Sequence, residues 1–238
     1  MTTAYRPWSY SRLDTARSCL RRFWLQYVRK LKGYQTPEIV HGQRLHDLFA
    51  KSVETGRPSP AFTPEELEAW NRVEIHARCG KPEVFLVVDV EGKPSTEKKD
   101  HFLLGHLDVV LAGMGYNVID WKMGQGLQYD QDQAEIYAIL YAAWHKPRHP
   151  VAVGFLFPFV EGVTGMTIQY TPAQTVDLFT QLWRPRILKL EAELGALDPE
   201  NQEAWTPNPA VCGGCLQAFN CTYFTRSLIW PGNQNLAA

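Results

Sequence analysis

The chain has 238 residues, 45% of them hydrophobic, and a formal net charge of −1 at pH 7. This length is enough for one substantial core with a small appendage, and a near-neutral charge alone argues against a dedicated nucleic-acid binder. No stretch approaches the roughly 18 to 20 consecutive apolar residues of a membrane helix, and the first residues lack the apolar core of a signal peptide. We therefore predict a cytoplasmic protein with no membrane partner.

The first segment is strongly basic, so the charge is unevenly distributed. Ser9 is the expected N-cap of a helix that runs to about Lys32 and is ended by Gly33, with Cys19 inside it. Eight basic residues of this segment are opposed only by Asp14: Arg6, Arg12, Arg17, Arg21, Arg22, Arg29, Lys30 and Lys32. They predict a locally positive surface that is either a phosphate-binding face or an ordinary solvated face.

Two more helices are predicted in the first third of the chain. One spans roughly residues 40–54 and is ended by Gly56. The other follows Thr63, which caps it, and Pro64, which opens it.

The middle of the chain changes to a strand-like pattern. Runs of β-branched and aromatic residues cover 83–90, 102–111 and 116–121, and turn-forming residues separate them. They predict an antiparallel meander. The later elements are a helix over 129–144, a buried strand over 151–159, a short edge strand over 167–170 and a last helix from Thr171 to about Leu194. The predicted fold class is α/β (α+β), with a central mixed sheet flanked by helices.

Two carboxylates and a lysine lie at the ends of the meander strands. Asp108 and Asp120 sit on consecutive strands, so the turn at Gly113 can bring them together. Side chains two apart in a strand point the same way, so Lys122 joins Asp120 while Trp121 points into the opposite layer. This set suits a divalent metal and phosphodiester hydrolysis, although Asp120 and Lys122 alone also fit an ordinary ion pair.

Gln133 and Tyr137 lie four apart on the helix that follows, so they face the same side. They are either part of the same site or a half-buried pair on an amphipathic helix.

The chain resembles a known family in four short motifs. They are Gly42-Gln43-Arg44-Leu45-His46, Gly105-His106-Leu107-Asp108, Asp120-Trp121-Lys122 and Gln133-Ala134-Glu135-Ile136-Tyr137. Their order resembles the G-x3-H, G-x2-D, D-x-K and Q-x3-Y motifs of RecB-like exonucleases in the PD-(D/E)xK nuclease superfamily. The resemblance covers roughly residues 42–137 and implies a restriction-endonuclease-like core.

The resemblance implies that His46, Asp108 and Asp120 hold Mg2+ or Mn2+ and that Lys122 positions or activates the attacking water. The backbone carbonyl of Trp121 is a further candidate ligand. A lone histidine such as His46 is otherwise more often a satisfied core residue.

The same resemblance implies that Gln133 and Tyr137 contact DNA or brace the site. Glu83 is an additional candidate for an auxiliary acidic position, with Asp89 and Glu91 as competitors.

The five cysteines predict a metal site more than disulfides, because the cytoplasm is reducing. Cys212, Cys215 and Cys221 form a C-x2-C-x5-C cluster, and from spacing alone a tetrahedral all-thiolate zinc site is a fair reading. Cys19 lies far away in sequence, and Cys79 has no partner in the pattern.

The cysteine spacing also resembles the iron-sulfur subset of the RecB-like family, which includes CRISPR-associated exonucleases and AddB helicase-nuclease subunits. This resemblance implies that Cys19, Cys212, Cys215 and Cys221 hold a [4Fe-4S] cluster, which joins the N-terminal helix to the C-terminal tail. Cys79 is then not a ligand.

The predicted organisation is one nuclease domain over 1–238. It comprises a helical part (1–60), a PD-(D/E)xK core (80–195) and a cysteine-rich iron-sulfur cap (205–230).

The predicted function is metal-dependent exonuclease activity on single-stranded DNA ends. Arg21 and Arg22 are candidate DNA contacts, and Tyr10, Trp24 and Tyr27 are either stacking surfaces or core. One alternative is a DNA-end binding or processing subunit of a recombination or CRISPR spacer-acquisition complex. A structural zinc-bearing interaction module is the other.

Overall fold

The computed structural model describes residues 5–113 and 115–224. The chain divides into two compact units, of which one comprises Met1–Thr36 with Ile187–Ala238 and the other is Pro37–Arg186. Residues 225–230 of the predicted cap, and Met114 of the predicted turn, lie outside the described residues. None of the helices in the described part is both long and apolar enough to cross a membrane.

The first unit takes helices from both ends of the chain. They are α1 (Tyr10–Ser18), α2 (Leu20–Phe23) with a π-helical continuation (Trp24–Val28), and most of α7 (Arg184–Gly195). Its aromatic core stacks Phe23 between Trp8 and Trp205, at ring-centroid distances of 5.8 and 6.3 Å. Residues on both sides of the second unit in sequence therefore share one core.

The single helix predicted from Ser9 to Lys32 is wrong in two respects. Ser9 caps its start as predicted, with its Oγ accepting the N–H of Arg12. Cys19, however, adopts an extended backbone (φ −161°, ψ 111°), which ends α1 and starts α2. The helical stretch also stops before Lys32. The apolar spacing is helical on both sides of Cys19, so the hydrophobic pattern does not reveal the break.

The second unit is built on a five-stranded sheet in the order β1-β2-β3-β4-β5. The strands are β1 (Lys81–Val88), β2 (Leu103–Val110), β3 (Val118–Trp121), β4 (Val151–Leu156) and β5 (Gly165–Tyr170). β3 and β4 are parallel and all other neighbours are antiparallel. The predicted meander and the mixed sheet are both confirmed.

Helices flank this sheet. They are α3 (Pro37–Thr55), α4 (Pro64–Ala77), α5 (Gln131–His145) and α6 (Pro172–Asp177), which continues through a π-helical turn (Leu178–Trp183) into α7. Thr63 and Glu66 form a reciprocal capping box at the start of α4, as the sequence around Thr63 predicts. Asp130 is the N-cap of α5, and its side chain accepts the N–H of Gln133.

β3 sends alternate side chains into different surroundings. Ile119 and Trp121 join an apolar cluster with Phe49 and Trp70 from α3 and α4. Asp120, between them, instead contacts side chains of α5. The predicted alternation of Asp120 and Trp121 is confirmed. Because of it, the carboxylate of Asp120 faces α5 while the ring of Trp121 packs in the apolar cluster.

Candidate active site

The candidate site forms where β2 and β3 stop pairing. Their last pair before the site is Val109 with Ile119, so the register would place Asp108 opposite Asp120. Instead of a backbone partner, the N–H of Trp121 donates to Oδ2 of Asp108 at 2.8 Å. The carboxylate thereby satisfies a backbone group that the separation of the strands leaves free.

A hydrogen-bonded network links the end of β3 to the first turns of α5. Nζ of Lys122 lies 2.8 Å from Oδ2 of Asp120 and donates to Oε1 of Gln133 at 2.8 Å. Nε2 of Gln133 donates to Oδ1 of Asp120 at 2.8 Å and to the hydroxyl of Tyr137 at 2.9 Å. Gln133 and Tyr137 therefore brace the predicted catalytic pair and are not merely a half-buried pair.

His46 reaches the same place from α3. Its Nδ1 lies 3.4 Å from Oδ2 of Asp108. Burial by itself lowers the pKa of His46, but the hydrogen bond to Asp108 and the negative charges of Asp108, Asp120 and Glu83 raise it above its ordinary value overall. The histidine is thus surrounded by carboxylates.

Glu83 belongs to this group of carboxylates. Pro82 pairs with Val109 and Val84 with Leu107, which places Glu83 opposite Asp108. Burial raises the pKa of Glu83, and the charge of Asp108 adds to the increase while His46 opposes it. Glu83 also has a positive φ of 49°, a costly backbone conformation for a residue with a side chain.

The competing acidic residues lie elsewhere. Asp89 Oδ1 accepts the N–H groups of Glu91 and Lys93 in the turn after β1, and Glu91 pairs with Arg184 at 3.1 Å. Among the three acidic candidates, Glu83 is the one beside Asp108.

The site carries an excess of negative charge. Burial raises the pKa of Asp120 to about 6, and the charge of Asp108 adds to this shift, while Lys122 opposes it. Three carboxylates, those of Glu83, Asp108 and Asp120, face one ammonium and one imidazole. Oxygen donors with this charge are the ligands that Mg2+ and Mn2+ prefer, so the donor types suit the metal that the sequence implies.

Within residues 5–113 and 115–224, however, no three His, Cys, Asp or Glu side chains stand in an arrangement that could hold a metal ion. Oδ2 of Asp120 contacts the ammonium of Lys122 in this arrangement. The ligand roles of His46, Asp108, Asp120 and the Trp121 carbonyl therefore stay predictions.

Two residues near the site were not identified from the sequence. His106 and Asp47 are close enough to shift the pKa of Glu83 in opposite directions, His106 lowering and Asp47 raising it. His106 precedes Asp108 by two residues in a strand, so the period of two was a usable signal. Asp47 follows His46 directly and carried no comparable pattern.

Three of the residues predicted as DNA contacts or stacking surfaces, Arg21, Trp24 and Tyr27, make contacts within the first unit. The side chain of Arg21 is 2% exposed, and its Nε donates to the carbonyl of Trp205. This guanidinium supports the first unit and does not face solvent. Nε1 of Trp24 likewise donates to a backbone carbonyl, that of Pro199, and Tyr27 packs on Phe23. Trp24 is therefore a core residue, the second of the two readings that the sequence allowed, whereas Tyr27 is half-buried.

The cysteines of the predicted cluster line one small cavity in the first unit. Cys19, Cys212, Cys215 and Cys221 contribute to its wall, together with Arg22. Sγ of Cys19 accepts two backbone N–H groups, from Arg22 and Asn208, each at 3.4 Å. Burial raises the pKa of the Cys212 thiol, and the other three sulfurs add to the increase.

Cys79 is exposed and belongs to the second unit. Its exclusion from the ligand set stays a prediction.

With this geometry in place, the comparison with known families adds one finding. A family model of the PD-(D/E)XK nuclease superfamily matches residues 7–80. The match supports the predicted superfamily, and it suggests a metal-dependent nuclease. It includes His46 but ends before the strands that carry Asp108 and Asp120. The mixed sheet flanked by helices is consistent with the restriction-endonuclease-like fold of the superfamily. No curated protein matches the chain.

Proposed function

We propose that the protein is a Mg2+- or Mn2+-dependent deoxyribonuclease that acts as an exonuclease on single-stranded DNA ends. The observation that carries this proposal is the convergence of Asp108, Asp120 and Lys122 with His46 at the point where β2 and β3 separate. An ordinary surface ion pair between Asp120 and Lys122 needs neither a second carboxylate nor a bracing amide.

His46, Asp108 and Asp120 are the residues that would hold the metal, with Glu83 as a further acidic ligand or outer partner. A divalent ion bound there would polarise the scissile phosphate and lower the pKa of a coordinated water.

Lys122 has the role of orienting water. The ammonium of Lys122 contacts Asp120 and Gln133 and lies 5.0 Å from the centroid of the Phe155 ring. An ammonium has three donors, so one beyond the two polar contacts can serve a water or a phosphate oxygen. Gln133 fixes the position of the ammonium, so the third proton has a defined direction.

We also propose that Cys19, Cys212, Cys215 and Cys221 hold a [4Fe-4S] cluster. The four thiols share a cavity, and the two N–H donors to the Cys19 sulfur match the hydrogen bonds that cluster thiolates receive. Zinc is the alternative occupant for the same thiols.

The nuclease proposal is tested with single-stranded DNA labelled at either end and incubated with Mg2+ or Mn2+. Native protein, purified anaerobically, is compared with Asp120→Ala and Lys122→Ala. Lys51→Ala is the matched control, because Lys51 is an exposed lysine of the same unit. We expect metal-dependent loss of label with the native protein and the control, and none with the two site variants. The end that loses label first gives the polarity.

If Lys122→Ala cuts as well as the native protein, the mechanism is wrong even though the fold is right. If native protein binds DNA and never cuts it, the chain is instead a DNA-end binding subunit of a recombination or CRISPR complex, and its partners become the object of study.

A further inference from the structure

The most exposed large apolar side chain of the described residues is an aromatic one in the first unit. Phe219 is 78% exposed, and Tyr34, which is 57% exposed, lies beside it. Their ring centroids are 6.0 Å apart and the rings meet edge to face at 68°. We call Tyr34 and Phe219 the aromatic platform.

Hydrogen bonds hold the two segments that carry the platform. The N–H of Tyr34 donates to the carbonyl of Leu216 at 2.8 Å. Gln217, which is 1% exposed, donates from Nε2 to the carbonyl of Leu31 at 3.0 Å. Nδ2 of Asn220 donates to the carbonyl of Lys32 at 3.2 Å. These bonds hold the segment that carries Tyr34 against the segment that carries Phe219, although the two rings are exposed to solvent.

Gly33 lets the two segments approach closely. A Cβ added there would lie 3.1 Å from the carbonyl oxygen of Leu216. A side chain at position 33 would crowd Leu216, so glycine permits this contact between the two segments.

The segment that carries Tyr34 is positively charged, and the segment that carries Phe219 is uncharged. Residues 15–36 and 204–224 contain no Asp or Glu. Lys30 and Lys32 are exposed next to Tyr34, and no ion pair joins either of them to a carboxylate within the described ranges. The positive electrostatic potential from Lys30 and Lys32 favours an anionic partner.

We propose that the aromatic platform binds single-stranded nucleic acid, with a base stacked on Tyr34 or Phe219 and the adjacent phosphates held by Lys30 and Lys32. Aromatic faces next to ammonium groups match the alternation of base and phosphate along a strand, and such stacking tolerates any base sequence. A protein partner is a poorer fit, because a stable protein interface needs a larger patch than two rings between lysines. This inference rests on the proposed function for its choice of DNA as the strand.

The test measures binding separately from cleavage. Fluorescence anisotropy is recorded with 5′-fluorescein-labelled oligothymidylate and with an abasic oligomer of equal length, without added divalent metal. The abasic oligomer keeps the phosphates and removes the bases. We expect native protein to prefer the oligothymidylate, and Phe219→Ala to lose this preference through weaker binding of the oligothymidylate by about fivefold or more.

Two variants serve as controls for Phe219→Ala. Phe219→Trp retains an aromatic face and should keep the preference. Ile75→Ala removes a side chain that is 62% exposed on α4, in the other unit, and should bind as the native protein does.

A double variant, Lys30→Gln with Lys32→Gln, tests the phosphate contacts. It should weaken the binding of both oligomers and reduce the slope of log affinity against log salt by roughly 1.4, the value for two phosphate contacts on single strands.

The inference is overturned if native protein binds both oligomers equally, or if Phe219→Ala retains the preference. Cleavage separates this failure from failure of the proposed function. If native protein cuts DNA with Mg2+ while Phe219→Ala binds normally, only the platform is wrong. If the platform binds DNA but no metal supports cutting, only the nuclease proposal is wrong.

Discussion

Gln133 is the residue that fixes the orientation of three others at the candidate site. Its Oε1 accepts from Lys122, while its Nε2 donates to Asp120 and to Tyr137. Reversing the amide would point N–H groups at an ammonium and an oxygen at a carboxylate, so only one orientation satisfies both contacts.

We therefore expect Gln133→Ala to lower metal-dependent cleavage by about 10- to 100-fold, which is the range for loss of a partner that orients a metal ligand. The measurement is the cleavage rate over a range of Mn2+ concentrations, with metal binding followed by calorimetry. Gln131→Ala is the control, since Gln131 is an exposed glutamine in the same turn of α5 and its amide donates to Glu135. Equal rates for both variants would mean that the network is a structural feature of the helix start.

At the scale of the secondary-structure elements, β1 has an irregular backbone at Glu83. The φ of Glu83 is 49°, in the left-handed region, which glycine adopts without a steric cost and alanine does not. We expect Glu83→Gly to be more stable than Glu83→Ala by about 1 kcal/mol, measured by denaturant unfolding. Both variants lose the carboxylate, so they should lose a similar fraction of cleavage activity.

The two readouts of the Glu83 pair answer different questions. Equal stability of the glycine and alanine variants would show that β1 is unstrained at this position. Full activity in Glu83→Gln would show that the Glu83 carboxylate has no part in metal binding or catalysis. Asp108 and Asp120 would then be the carboxylates on which the proposed site depends.

The sequence was a good guide to the elements where local signals decide the structure. The capping residues Ser9 and Thr63, the meander and the orientation of Trp121 away from Asp120 follow from capping chemistry and the strand period. The break at Cys19 and the positive φ of Glu83 do not, because the helical apolar spacing continues on both sides of Cys19 and a glutamate gives no sign of a left-handed backbone. Three of the cysteines could be grouped by spacing and Cys19 only through the family resemblance, whereas their common cavity depends on packing within the first unit.

At the scale of the whole chain, the first unit is assembled from segments that the entire second unit separates in sequence. Its aromatic core brings Phe23 and Trp205 together, and Arg6 and Trp8 both donate to Glu191. Such an arrangement has a large entropic cost of loop closure, which a covalent or metal link between the segments would reduce. Cys19 and the three cysteines near the C-terminus are placed to supply that link.

We accordingly expect anaerobically purified protein to be brown, with absorption near roughly 400 nm from iron-sulfur charge transfer and about four irons per chain. Cys19→Ser and Cys215→Ser should lose the colour and lower the thermal midpoint by roughly 5 to 10 °C, since the link between the two segments is lost. Cys79→Ser is the control, because Cys79 is exposed in the other unit, and it should keep both iron and stability. A colourless protein with one zinc ion per chain would contradict the iron-sulfur proposal but retain the argument for the link, because four thiolates around zinc join the same two segments.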